Sequence, residues 1–196
     1  MLHQHEQKKA EMKAYDDACV LAGRDSNEYT SKIAQLRTKW TGQCDTTCDR
    51  LILPLLSGAN IPIHYAVIAD NLDYFKANHE TSKIKLDETL RIACLCGSKD
   101  VAEFILATLK LNYLSPGCEF VLSYAAASEN TAWVEQIATE FSKAGRTIPE
   151  DIYIHTDPAM IRKIKAIFRN PQEPQNNCTI NTASNSGNAA KLSKSQ

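Results

Sequence analysis

Two stretches of this chain follow one template. Ile61-Pro62-Ile63-His64-Tyr65-Ala66-Val67-Ile68-Ala69-Asp70-Asn71 is echoed by Glu88-Thr89-Leu90-Arg91-Ile92-Ala93-Cys94-Leu95-Cys96-Gly97-Ser98, and a second apolar run of helical period follows each. A helix-turn-helix unit that recurs cannot bury its own apolar face, so its neighbours must stack on it. The template therefore predicts an all-α fold: a solenoid of helical hairpins.

The rest of the chain fits such a body. Its 196 residues, 43% hydrophobic and 23% charged, suffice for one domain with a core. Lysine and arginine total 22 against 23 acidic residues, a formal charge of −1, so no global field exists to hold a polyanion and nucleic acid is excluded as the main partner. The longest apolar runs, such as Leu51 to Leu56, fall far short of the roughly 20 residues that cross a bilayer. Seven cysteines, an odd set with no apolar leader read before them, point to free thiols in a reducing, cytoplasmic compartment.

Helical periodicity places the elements. Met12, Tyr15, Cys19 and Ala22 form one stripe in residues 4–22, ended by Gly23, and Tyr29, Ile33, Leu36 and Trp40 form a second that demands a packing partner. Asp45, Thr46 and Thr47 are candidate caps for a third helix, which Pro54 kinks or ends. Shorter helices follow near 62–69, 71–78, 87–96, 98–111, 117–128 and 131–144, parted by Asp70-Asn71, Gly97-Ser98 and Glu129-Asn130. Asp157-Pro158 opens a closing helix through Met160, Ile161, Ile164, Ile167 and Phe168. Residues 170–196 hold too little apolar surface to offset ordering entropy and read as a disordered tail.

Ala66, Ala93 and Ala125 share one slot, at intervals of 27 and 32 residues against the about 33 of an ankyrin unit. Small residues at Ala66-Val67, Ala93-Cys94 and Ala125-Ala126 let inner helices approach, while Phe75, Val101, Ile105, Trp133 and Ile137 fill an outer layer. Ile61 to Asn71 resembles the ankyrin-repeat unit Thr-Pro-Leu-His-x-Ala-Ala-x-x-Gly-His in order and spacing, and Thr89 to Leu106 is the next match. Leu55 to Asn60 is similar to a unit's end, Leu122 to Ile137 is a degenerate unit without the turn glycine, and Ile152 to Phe168 is read as a fourth. The resemblance divides the chain into N-terminal helices packing on the solenoid (1–49), ankyrin-like repeats with a cap helix (50–169) and the tail (170–196).

The resemblance implies non-enzymatic protein recognition by an adaptor or inhibitor. By position its concave face presents Ile68, Ala69, Leu95, Cys96, Ala127 and Ser128, with hairpin tips carrying Lys83, Lys85 and Tyr113. That stripe is apolar, which requires either an apolar partner or cover by the N-terminal helices; the unpaired Tyr29-Ile33-Leu36-Trp40 stripe favours cover. The chain also looks like small ankyrin-type effectors that intracellular bacteria secrete into host cells by a non-classical system, with the tail read first as a plain flexible terminus and, as the alternative, as a translocation signal. Of these implications, the partner stays unnamed, and no cofactor is expected.

Enzymatic chemistry is the competing reading. Cys44 and Cys48, four apart, could share a zinc ion with His64 or with His3 and His5, but a second tight ligand pair is missing. Cys48, His64 and Asp70 could form a nucleophile, base and orienting carboxylate. Against this, His64 occupies the slot where ankyrin histidines bond the turn backbone, although Ile61 replaces the threonine whose hydroxyl meets that histidine. No phosphate-cradling glycine loop, His-Glu-x-x-His or Gly-x-Ser-x-Gly occurs. Basic runs at Lys8, Lys9 and Lys13 and at Arg162, Lys163, Lys165 and Arg169 read as solvated helix faces.

Overall fold

The computed structural model describes residues 2–40, 61–128 and 130–169, and among them all regular structure is α-helical. In chain order the helices are α1 (Leu2–Ala22), α2 (Asn27–Trp40), α3 (Pro62–Ile68), α4 (Leu72–Asn78), α5 (Leu86–Leu95), α6 (Lys99–Thr108), α7 (Phe120–Ala127), α8 (Thr131–Lys143), α9 (Ile152–His155) and α10 (Pro158–Arg169). The helix expected after Asp45, the Cys44 and Cys48 thiols, the Leu55–Asn60 match and the 170–196 tail lie outside the described residues.

Helices of seven to ten residues are marginal in isolation, so their ends and their packing must hold them. The ends repeat one device. After α3, Asn71 N–H donates to Ala66 O (2.8 Å) and Asp70 N–H to Val67 O (3.3 Å); after α5, Ser98 N–H donates to Ala93 O (2.9 Å) and Gly97 N–H to Cys94 O (3.1 Å). This crossed pair turns the chain through a left-handed residue, Asp70 (φ 54°) in one case and Gly97 (φ 66°) in the other. The turn after α7 differs, because Ser128 leaves the helix extended (ψ 172°) and no glycine follows. Asn71 and Asn130 then start α4 and α8 by accepting the N–H groups of Tyr74 (3.2 Å) and Trp133 (3.3 Å).

The same turn residues tie each pair to the one before it. Asn71 Nδ2 donates to Leu21 O (3.1 Å), Ser98 Oγ to Ile68 O (3.3 Å) and Asn130 Nδ2 to Gly97 O (3.0 Å). In the opposite direction the Asp70 carboxylate accepts Val101 N–H (3.0 Å) and Asp100 N–H (3.4 Å), capping α6 from the preceding turn. Carbonyls and amides that helix ends would leave unmet are therefore satisfied between neighbouring pairs.

Packing follows the same order. α3 lies against α4, α5 against α6 and α7 against α8, while α5 also contacts α3 and α7, α7 contacts α9, α4 contacts α6 and α8 contacts α10. Ala66, Ala93 and Ala125 are fully buried where α3, α5 and α7 meet, and Phe75, Val101, Ile105, Trp133 and Ile137 fill the other layer. At the N-terminal end α1 and α2 both pack on α3. The α1 stripe is buried only in its second half. Cys19 and Ala22 are covered, but Met12 and Tyr15 are 66% and 51% exposed, because α1 is about 31 Å long and only its last turns reach the body.

Candidate functional site

The inner helices α3, α5 and α7 end on one side of the molecule at Ile68, Leu95 and Ala127, and α2 lies along that row of ends. Lys32 Nζ of α2 donates to Ser98 Oγ (3.2 Å), just beyond α5, and Lys39 Nζ donates to Ala127 O, at the end of α7. Lys32 and Lys39 are seven residues apart, about 10.5 Å of helix rise, close to the 8–10 Å between packed helix axes. One lysine therefore meets each successive turn. Between them Leu36 sits over Leu95, Cys96 and Ala127, leaving a gap of about 20 Å³. At the near end the Tyr29 ring meets the Tyr65 ring of α3, centroids 5.1 Å apart.

Electrostatics reinforces this seating. Each helix C-terminus carries about half a negative charge, so three adjacent ends make a negative row that favours cations. Lys32 additionally faces Asp70 and pairs with Glu28 on its own helix (3.0 Å). Beside α2 a groove of about 820 Å³ opens between Ala34 and Thr38 of α2 and Asp157 and Met160 at the start of α10, and it shares Gln35, Lys39 and Ser128 with the gap under Leu36.

The expected recognition residues fall into three groups. Ile68, Leu95, Cys96 and Ala127 are buried and Ala69 and Ser128 half-buried, so the stripe expected to be displayed is covered; α2 lies beside its Leu95, Cys96, Ala127 and Ser128, and Gly23 lies beside Ala69. Tyr113 is not displayed at a tip either. Its hydroxyl donates to Glu103 Oε1 (2.6 Å) and accepts Trp133 Nε1–H (3.0 Å), bracing α6 against α8, and burial holds the phenol protonated. Lys83 and Lys85 are exposed, and Lys85 pairs with Glu88 (2.9 Å). Lys32, Lys39 and Ser98 are the anchors that the sequence reading missed. Lys32, Leu36 and Lys39 at spacings of four and three carry the signal, which the more prominent apolar stripe of the same helix masks.

The groups invoked for the competing chemistry are engaged or desolvated where they are described. Asp70 caps α6, as above. His64 is half-buried, burial lowers its pKa, and its Nδ1 meets no hydrogen-bond partner among the described residues. Cys19, Cys94, Cys96 and Cys118 are buried free thiols; burial pushes Cys96 up to about 12 and raises the others. A thiol shifted upward is a poor nucleophile at neutral pH. Among the described residues no three His, Cys, Asp or Glu side chains come together as a metal site. No described helix is long and apolar enough to cross a membrane.

Asp70 gives this region a pH dependence. Burial is the largest influence and raises its pKa, opposed by the Val101 N–H, Lys32 and the Asp100 N–H, while the Asp100 carboxylate raises it further. With a folded-state pKa above the unfolded one, the folded chain holds the proton more tightly. The stabilisation is complete below the ordinary value of 3.8 and is lost as pH rises through the folded-state value. The difference in urea midpoint between wild type and Asp70→Asn should therefore fall from about pH 4 to about pH 7. A difference that stays constant or grows across that range would contradict the assigned direction.

No family model, no curated protein and no solved structure matches this chain.

Proposed function

We propose that this protein is a non-enzymatic interaction module, an adaptor or inhibitor, built as an ankyrin-like stack of degenerate helical hairpins. Supporting the repeat reading are the buried Ala66, Ala93 and Ala125 in equivalent slots, the repeated crossed turns and the back-reaching bonds from Asn71, Ser98 and Asn130. The observation that carries the functional reading is the apolar row Ile68, Leu95, Cys96 and Ala127, buried in this structure, whose Leu95, Cys96 and Ala127 already seat the Leu36 side of a helix, α2. On this reading a partner protein engages that row and the Lys83–Lys85 tip. The four buried free thiols fit work in a reducing compartment.

Affinity purification of the full chain with mass spectrometry tests the reading. One protein should co-purify at stoichiometric amount and be lost with Leu95→Glu while helicity persists. Absence of such a partner, together with stoichiometric zinc or one hyper-reactive thiol at Cys44 or Cys48, would overturn it in favour of thiol or metal chemistry.

A further inference from the structure

We infer that Arg91, cradled between α5 and α7, is the docking point for a carboxylate side chain, glutamate or aspartate, on the partner protein. This rests on the interaction-module reading and names the group that the partner presents. Arg91 leaves α5, while Phe120 and Tyr124, four residues apart, share one face of α7. The guanidinium carbon lies over the Phe120 ring, 4.1 Å from its centroid, and 5.7 Å from that of Tyr124, whose hydroxyl accepts Nη1–H at 3.4 Å. Both rings are half-buried and packed against the core, which fixes the plane of the guanidinium. The rings take up a face of the cation, and the N–H groups along its edge are left for a ligand.

No carboxylate of the described residues takes that edge. Arg24, Lys32 and Lys99 are half-buried like Arg91, and each pairs with an acidic side chain. Glu88 stands one turn before Arg91 on α5, yet it pairs with Lys85 (2.9 Å). No Arg91 nitrogen is among the buried atoms that lack a hydrogen bond, so those bonded to nothing in the fold are reached by water. An arginine whose plane is already fixed loses little entropy on gripping a carboxylate, and the charge-assisted pair is bidentate. The charge count selects carboxylate over phosphate. A phosphate group of about −1.5 to −2 would meet one guanidinium with Asp87 and Glu88 on the preceding turn, whereas the single charge of a carboxylate is matched.

Peptides selected on the full chain from a random, end-blocked display library are the probe. They should carry glutamate or aspartate at one recurring place. For the most enriched peptide, glutamine in that place should weaken binding to wild type at least about tenfold, the worth of a charge-assisted pair. On Arg91→Gln the two peptides should bind within about twofold of each other, and on wild type a phosphoserine peptide should bind more weakly than the glutamate one. No acidic residue among the selected peptides, a glutamate preference that survives in Arg91→Gln, or tighter binding of phosphoserine overturns the inference. Should Arg91→Gln fail to fold, nuclear magnetic resonance on wild type decides. The glutamate peptide should shift the Arg91 Nε–H resonance and its glutamine counterpart leave it in place, and a resonance that neither moves overturns the inference. A stoichiometric protein partner that binds Arg91→Gln as well as wild type sinks this inference alone. Arg91-dependent glutamate recognition with no co-purifying protein sinks the broader reading instead.

Discussion

Trp133→Ala should lower the free energy of unfolding by about 3–5 kcal/mol, the usual cost of emptying a fully buried aromatic site. Against a total of about 5–15 kcal/mol for a domain, this removes a large share of stability, and the melting temperature should fall by about 6–20 °C. The position is unforgiving. Trp133 is fully buried at the start of α8, its backbone N–H is held by Asn130, and its indole N–H meets the Tyr113 hydroxyl, which in turn binds Glu103 of α6. Trp133→Phe separates the parts of the effect. It keeps most of the ring volume and loses the bond to Tyr113, so it should cost about 1–2 kcal/mol. Thermal melts followed by far-ultraviolet circular dichroism give both values, and an alanine variant melting within about 2 °C of wild type would show that α8 is not anchored this way.

The sequence was most readable where local rules and packing agree. Period-matched apolar residues mark α3 to α8, and their ends fall within three residues of the sequence-based bounds. Alanines at 66, 93 and 125 disclose where helices must approach closely, and Asn71 and Asn130 announce the starts of α4 and α8. What stayed hidden depends on which surfaces meet. Met12 and Cys19 occupy one helical stripe, yet only the second contacts the body, since periodicity carries no information on where α1 leaves its neighbours. Asp70 reads as a turn residue in its own hairpin, whereas its carboxylate caps a helix 30 residues further on. Likewise the seating of α2 beside Leu95, Cys96 and Ala127 involves two lysines whose targets are a carbonyl and a hydroxyl with no sequence signature.

The second large effect separates the strain of one turn from the fit between turns. Gly97 and Gly145 have nearly the same left-handed backbone, φ 66° and 67°, and each closes a helix through the same crossed hydrogen bonds. An alanine in that conformation costs about 1 kcal/mol wherever it stands. At Gly145 a new Cβ meets nothing within 4 Å, so Gly145→Ala should cost about that and no more. At Gly97 the Cβ would lie 2.9 Å from Ser128 Oγ and 3.1 Å from the Cβ atoms of Ser128 and Asn130. Those residues form the next turn, and Asn130 Nδ2 donates to Gly97 O, so relief of the clash stretches the bond that joins the two pairs. Gly97→Ala should therefore cost about 2–4 kcal/mol, with the excess over Gly145→Ala measuring the contact between adjacent turns. Equal urea midpoints for the two variants would mean that successive pairs tolerate separation at this point, and that the close register of their turns contributes nothing to holding the helices together.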